Sequence, residues 1–477
     1  MTTVLAIDQG TSGTKAMVVD PAGSVRAVTE LPVRPRYLPG GGVEQDPEAL
    51  LESVLESGRA AVAGAGLPID CVSLANQGET VLAWDPRTGR PLSQAVVWQD
   101  RRAAGICAAL GSSAELVSER TGLVLDPYFS APKLRWIRDH LTREGVVTTT
   151  DTWLLHHLTG QFVTDAATAS RSLLTSLDTG AWDPTLLELF GLAEEPLPHI
   201  AACDEIVGET TAFGAPTPVG GLVVDQQAAL LAQRCLEPGE AKCTFGTGAF
   251  LLANRGTTPV RSGAGLAASV AWRVRGEHTY CVDGQVPTAA SAIRWLQDLG
   301  LLRHASELDQ LAADDPEGVL CVPALAGLSA PWWEPEARAS LTGMTLSTTS
   351  AHVVRAVLDG IAAQVAELAD CAARDVGQPA RRLRVDGGLT RSRVLMQAVA
   401  DLLQTPVEVY PSAHATALGA AGFARAALRP ELPLADAVVD WEPSTRYTPR
   451  LSADAAGAFR ARWRRALQHA SIDRETP

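Results

Sequence analysis

Val4-Leu-Ala-Ile-Asp8-Gln-Gly10-Thr11-Ser12-Gly13-Thr14-Lys15-Ala-Met-Val-Val-Asp20 decides how the rest of the chain is read. Residues 4–7 form an apolar run that ends in the carboxylate of Asp8. A Gly/Thr/Ser turn then leads into a second, β-branched run over residues 14–19. The pattern predicts two antiparallel strands joined by a tight polar turn. A carboxylate at a strand end, beside a loop rich in N–H and hydroxyl donors, can hold a metal and a phosphate together. Taken alone, the stretch reads as an ordinary N-terminal hairpin with a polar tip. Later stretches shift that balance.

The 477 residues exceed what one hydrophobic core can serve, so two or three domains are expected. Hydrophobic residues make up 46% and charged residues 20%, the balance of an ordered globular chain. The net charge of −14 argues against nucleic acid or an anionic membrane as a partner. Eight cysteines lie scattered, without CxxC or a neighbouring His at metal spacing. Buried free thiols are expected, not a disulfide framework or a zinc site. Met1-Thr-Thr runs straight into a strand, with no charged and apolar leader, and no apolar run reaches membrane-span length. A soluble, cytoplasmic protein is the expectation.

Residues 24–31 continue the opening sheet, and Asp46-Pro47-Glu48 starts a helix with apolar Leu50, Leu51, Val54 and Leu55 at helical spacing. Strands are expected over residues 69–75, 81–84 and 95–98, the last ending in the polar cluster Trp98-Gln99-Asp100-Arg101-Arg102. Helices follow near residues 130–137 and from Asp151, which reads as a cap; His156 and His157 are adjacent and read as structural. Residues 219–224 form a strand that runs into Asp225-Gln-Gln, repeating the opening logic of strand, carboxylate and polar turn. Residues 241–248 give a strand ending in Gly246-Thr247-Gly248, whose small residues let backbone approach a ligand. The second half echoes the first. It has strands at 280–282, 383–386 and 407–410, a one-faced helix over 352–371, and the turn Asp386-Gly387-Gly388. The glycines of Thr416-Ala-Leu-Gly419-Ala-Ala-Gly422 suit close helix–helix approach at a hinge. The expected domains are 1–238 and 239–477, an α/β layout of mixed strand direction.

No Walker A spacing is present, and Gly246-Thr-Gly248 lacks the third glycine of a dinucleotide fingerprint because residue 251 is Leu. Together, however, strand–Asp8–Gly/Thr turn, strand–Asp225–helix, Gly246-Thr-Gly248 and strand–Asp386-Gly-Gly resemble the actin/sugar-kinase superfamily. Within it the chain resembles the FGGY family of carbohydrate kinases, and its glycerol kinase branch most. The matching text includes Asn76-Gln77, Val97-Trp98-Gln-Asp-Arg-Arg102, Asp126-Pro-Tyr128-Phe-Ser, Lys133-Leu-Arg-Trp136, Asp225-Gln-Gln-Ala-Ala, Phe245-Gly-Thr-Gly248, Val385-Asp-Gly-Gly388 and Ala417-Leu-Gly-Ala-Ala421. It runs over residues 4–425 in the family's order.

The resemblance implies two actin-like (ribonuclease H-like) domains, with mixed sheets, flanking helices and an ATP site in the cleft between them. It implies phosphoryl transfer from ATP, with Mg²⁺, to a terminal hydroxyl of a small polyol or sugar. Glycerol is the first candidate acceptor; the alternatives are a longer polyol or ketose as acceptor, or a non-catalytic sugar-binding regulator on the same fold. Asp225 matches the catalytic base, and Asp8 with Asp225 the Mg²⁺ side. Thr11, Ser12, Lys15 and Thr247 match groups around the β/γ-phosphates; Gly387, Gly388 and Ser392 match the nucleotide side. Gly78, Glu79, Trp98, Tyr128, Asp225 and Phe250 match the acceptor site, where carboxylates accept hydroxyl hydrogen bonds and aromatic walls cover the C–H face. A homodimer and a homotetramer both remain open.

The chain departs from the family text in three places. Glycerol kinases carry Arg-Glu-Thr-Thr after Asn-Gln, whereas this chain has Gly78-Glu79-Thr80-Val81. A missing hydrogen-bond partner at a polar site costs about 1–3 kcal/mol, so Gly78 either weakens glycerol binding or makes room for a longer acceptor. Arg294 and Ser392 stand where the family pattern has Gln and Asn.

Overall fold

The computed structural model describes residues 2–471, which fold into two α/β halves built on one plan. In the first half a six-stranded sheet runs in the order Ile206–Thr210, Thr217–Val224, Cys71–Asn76, Val4–Gln9, Gly13–Val19, Val25–Pro32. The opening hairpin pairs antiparallel, with Asp8 opposite Lys15. Val4–Gln9 pairs in parallel with Cys71–Asn76, which pairs in parallel with Thr217–Val224. These three parallel strands end at one edge, where Asp8 and Val223 both lie level with Ala75. Asp8 and Asp225 therefore leave the same sheet edge on either side of Cys71–Asn76, although 217 positions separate them in sequence (225 − 8).

The second half repeats the arrangement. Its seven-stranded sheet runs Ala267–Val274, Glu277–Val286, Ala249–Gly256, Ala241–Phe245, Leu383–Asp386, Val407–Val409, Thr445–Tyr447. Ala241–Phe245 again opens a hairpin and again pairs in parallel with a later strand, Leu383–Asp386. The Gly246 turn and Asp386-Gly387 thus share one sheet edge.

Helices close both sheets as their periodicity requires. Asp46 accepts the Glu48 N–H at 3.0 Å, Pro47 opens Pro47–Ala65, and Leu50, Val54 and Ala61 pack with Leu5, Ile7 and Leu74. Ser350–Val376 buries Val357, Ile361, Val365 and Leu368 in the second core. Ala415–Leu428 crosses over: its Ala417, Ala421 and Ala424 pack with Val4, Ala6 and Met17 of the first sheet. It meets Asp225–Ala232 so closely that a Cβ on Gly419 would stand 1.9 Å from the Ala228 carbonyl oxygen. No larger residue fits there.

Several expectations need correction. Residues 81–84 and 95–98 belong to a separate five-stranded sheet with Arg36–Leu38, Gly42–Gln45 and Val146–Thr149. The second of them stops at Val96, because the Trp98 N–H turns to the Thr80 hydroxyl (3.2 Å) and the Asp100 N–H to the Val97 carbonyl (2.9 Å). Asp225 is not followed by a polar turn; the helix Asp225–Ala232 begins on it. Asp151 does not cap its helix. It lies buried in the first turn, accepts the Thr164 hydroxyl at 2.6 Å, and is pushed by burial up to about 7. The strand expected at 280–282 extends over Glu277–Val286, and its neighbours Ala249–Gly256 and Ala267–Val274 lie outside the expected strands. All eight cysteines are free and buried. Among the described residues no helix is long and apolar enough to cross a membrane.

Candidate active site

The tip of the opening hairpin is fixed from outside. Gly10 donates its N–H to the Gly13 carbonyl at 3.0 Å, closing the turn. The Gln45 amide donates to the carbonyls of Thr11 (2.7 Å) and Val33 (2.9 Å), and Gln77 donates to Gln45 at 2.8 Å. The Trp98 indole N–H donates to the Thr11 hydroxyl at 2.8 Å, so the tip and the aromatic wall hold each other. Trp98 meets Tyr128 edge-on at 5.6 Å between ring centroids and Phe250 at 6.0 Å. Phe250 comes from the second half, where it lies opposite Thr244 in the Ala241–Phe245 hairpin. Asp100 and Arg102 of the 98–102 cluster are structural: Asp100 accepts the Val43 N–H at 2.7 Å and pairs with Arg102, which also reaches Glu44.

Thr11, Ser12, Gly78, Glu79, Trp98, Tyr128, Asp225, Thr247 and Phe250 line one cavity of about 150 Å³, joined by Tyr37, Gln77, Gln99 and Gln226. Seven distant segments thus supply one small chamber lined by aromatic rings, carboxylates and hydroxyls. Past Trp98 and Phe250 a second space of about 500 Å³ opens toward Arg101, Gln285 and Trp333.

Two carboxylates face the region where the sheet edges meet. Asp225 begins its helix and accepts the Gln226 N–H at 2.6 Å; burial raises its pKa, and the Lys242 ammonium opposes the rise. Asp8 is pushed up to about 7 by burial and then by the charge of Asp225, with Lys15 opposing. Among the described residues no three His, Cys, Asp or Glu gather into a metal-binding group. Two buried carboxylates, one of which raises the proton affinity of the other, nevertheless fit a divalent cation that takes its other ligands from phosphate and water, as Mg²⁺ does. Lys15 lies beside Asp8 in register, 3.5 Å from Glu30.

On the opposite edge, Gly246 donates its N–H to Gly248 at 2.8 Å, making a tight turn with Thr247 at its apex. Gly387 sits at φ 96°, and a Cβ on it would lie 2.4 Å from the Phe245 carbonyl oxygen. Nothing lies within 4 Å of the Cβ position of Gly388. Ser392 caps Arg393–Leu403, accepting the Leu395 N–H at 3.2 Å and donating to Asp309 at 2.7 Å. Asp8, Lys15, Gly387, Gly388 and Ser392 do not line the small chamber. Arg294 is exposed on Ala290–Asp298.

Residues 3–232 match the N-terminal domain of the FGGY family of carbohydrate kinases, and residues 241–428 match its C-terminal domain. The chain belongs to the FGGY family of carbohydrate kinases. The glycerol kinases of Bordetella parapertussis and Thermus brockianus are 41% and 42% identical to it; both alignments cover 98% of this chain, and 96% and 98% of theirs. A glycerol kinase of Plasmodium falciparum, solved with ADP, superposes with a TM-score of 0.91 at 30% identity over 99% of both chains. A ligand-bound xylulose kinase of Lactobacillus acidophilus has a TM-score of 0.89 at 19% identity, a likeness of fold alone. The two halves are accordingly the two actin-like domains of this kinase family, with the chamber in the cleft between them.

Three cations of this FGGY kinase escaped the reading of the sequence as site residues. Lys133, fully buried, donates to the carbonyls of Pro127 (2.8 Å), Tyr128 (2.5 Å) and Phe129 (2.6 Å), pinning the loop that presents Tyr128. Burial pulls its pKa down to about 7 against the pull of Glu79 and other acids. Lys242, also fully buried, reaches Gln226 at 2.5 Å and Thr244 at 2.9 Å, and Thr244 donates to Asp386 at 2.6 Å. One buried chain of hydrogen bonds therefore links the helix of Asp225 to the Asp386-Gly387 turn. The third cation is Arg171, hydrogen-bonded to Glu79. Lys133 and Lys242 could have been suspected, being two of only three lysines and each set in an apolar stretch.

Proposed function

We propose that this chain transfers the γ-phosphoryl group of ATP to a terminal hydroxyl of glycerol, giving glycerol 3-phosphate. One observation carries the reading: a single small chamber holds both Glu79 with the Trp98–Tyr128–Phe250 wall and Asp225 with Thr11, Ser12 and Thr247. An acceptor against the first group presents a hydroxyl to the second. Full-length relatives named glycerol kinase, at 41–42% identity, support the choice of acceptor.

In this reading Asp225 accepts the proton of the attacking hydroxyl, and Glu79 and Tyr128 hydrogen-bond the other hydroxyls of the polyol. Phosphoryl transfer asks the protein for positioning and charge stabilisation more than for a strong base. Thr11, Ser12, Lys15 and Thr247 surround the β/γ-phosphates. Gly387 and Gly388 leave room for the nucleotide beside Ser392. Asp8 and Asp225 hold Mg²⁺, which supplies electrostatic stabilisation to the phosphates when bound. Closure of the two halves excludes water that would compete as acceptor. We place the boundary between the halves at Pro238-Gly239, between the end of Asp225–Ala232 and the start of Ala241–Phe245. A cytoplasmic location goes with ATP as donor.

The outer space beyond Trp98 and Phe250, together with the missing side chain at Gly78, favours a second reading in which the acceptor is a longer polyol or ketose. An ADP-release assay across glycerol, erythritol, pentitols, xylulose, ribulose and dihydroxyacetone separates the two. Glycerol is expected to give the highest kcat/KM. A longer acceptor ranking first would overturn glycerol and leave the kinase standing.

A further inference from the structure

Between Asp165 and Asp178 the chain carries a single charge, Arg171, just past the short helix Ala166–Ser170. The residue is only 5% exposed and does not line the chamber. Its guanidinium stands behind the chamber wall and faces three groups. Nε donates to Oε1 of Glu79, Nη1 donates to Asp283 at 2.7 Å, and Nη2 lies 3.4 Å from the Tyr128 hydroxyl. Burial works against the charge, and the carboxylates of Asp283 and Glu79 outweigh it, holding the guanidinium protonated.

Both cavity-lining partners need such a support. Glu79 sits at φ 58°, where a non-glycine residue is strained, in a turn closed by the Thr80 N–H on the Gly78 carbonyl at 2.8 Å. Its second oxygen, Oε2, accepts no hydrogen bond from the described residues. One oxygen is therefore anchored and the other is free for a ligand. Asp283, the third partner, belongs to Glu277–Val286 of the C-terminal sheet, so the same cation spans the two halves.

We propose that Arg171 is the positioning residue of the acceptor wall: it holds the Glu79 carboxylate and the Tyr128 hydroxyl against the chamber and fastens both, through Asp283, to the C-terminal half. The proposal rests on reading the chamber as the acceptor site. Lysine cannot replace Arg171, since a point ammonium on a flexible stem does not reproduce a planar fork aimed at three partners.

Steady-state kinetics of the full chain test it, using whichever polyol of glycerol, erythritol and the pentitols the wild type turns over fastest. Arg171→Lys is expected to raise the acceptor KM by about tenfold or more, with the ATP KM within about twofold. Asp283→Asn should raise the acceptor KM by a smaller factor. Guanidinium ion added at millimolar level to Arg171→Ala should bring its acceptor KM back toward wild type. An unchanged acceptor KM in Arg171→Lys, or equal rises in both KM values, overturns the proposal. If neither Arg171 variant melts cooperatively, a folded Asp283→Asn with a wild-type acceptor KM overturns it alone. Which polyol the wild type prefers tests the function instead, so the two failures are told apart.

Discussion

The acceptor wall and the facing C-terminal edge grow from the same topology, parallel strands ending beside a hairpin turn, yet they are finished with different materials. The acceptor wall is made of side chains gripping one another across long sequence separations, Trp98 on Thr11 and Arg171 on Glu79, with Lys133 pinning the local backbone of Pro127, Tyr128 and Phe129. The C-terminal edge is made of backbone, with the Gly246–Gly248 turn and the bare Gly387-Gly388 presenting N–H groups and space. A wall of side chains can be re-cut by single substitutions, so acceptor choice can drift within one fold. At Gly387 and Gly248 the backbone wall has no room for an added Cβ, which would stand 2.4 and 2.5 Å from carbonyl oxygens, so the donor side is constrained there. The two walls meet at Asp225, and the variant expected to do most harm lies there. Asp225→Asn should lower kcat by about 10³-fold while nucleotide still binds, measured by ADP release and by titration with ADP. Near-normal turnover would remove Asp225 from its role.

Next in size is a test of the backbone wall. Gly387→Ala asks for a Cβ 2.4 Å from a carbonyl oxygen, on a residue at φ 96°. Strain of this kind costs about 1–3 kcal/mol. The variant should melt at lower temperature and show a nucleotide KM raised by about tenfold, with the acceptor KM nearly unchanged. An acceptor KM that rises as much as the nucleotide KM would show that the two walls are not separable.

Gly78→Arg probes the side-chain wall with a similar kinetic effect but less expected loss of stability. A Cβ there meets only the Cγ2 methyl of Val224, at 2.9 Å, a contact that a modest shift of that side chain relieves. The added side chain narrows the chamber, so kcat/KM for erythritol and pentitols should fall by about tenfold relative to glycerol. If longer acceptors are unaffected, the space at Gly78 is not part of the acceptor site.

The same contrast explains what could be read from the sequence. The backbone wall was legible: Gly246-Thr-Gly248, Asp386-Gly-Gly and the Gly10–Gly13 turn are local signals, each closed by hydrogen bonds within a few residues. So were the sheet edges, because a carboxylate ending an apolar run marks where a strand leaves the core. The supports of the side-chain wall were not legible. Arg171 and its partners Glu79 and Asp283 are separated by 92 and 112 residues, and no periodicity links them. Its one trace is a lone charge in a long uncharged stretch. Trp98 was placed at a strand end because the apolar pattern runs through it, whereas the Thr80 hydroxyl captures its N–H and ends the strand early. Ala249–Gly256 and Ala267–Val274 hid for a different reason. Buried on both faces over most of their length, they lack the alternation that marks a strand.

Ser392 makes the smallest and most discriminating comparison, because its side chain stands on the donor side yet points into the protein. Its hydroxyl is occupied twice over, by Asp309 and by the first turn of Arg393–Leu403. Loss of an N-cap of this kind costs about 1 kcal/mol. Ser392→Ala should therefore lower the melting temperature by a few degrees and move the nucleotide KM by less than about threefold, because the donor wall at this point is carried by backbone. A large rise in nucleotide KM without loss of stability would mean that the hydroxyl leaves its cap to meet the nucleotide. The division between a side-chain wall and a backbone wall would then fail on the side where it is drawn most sharply.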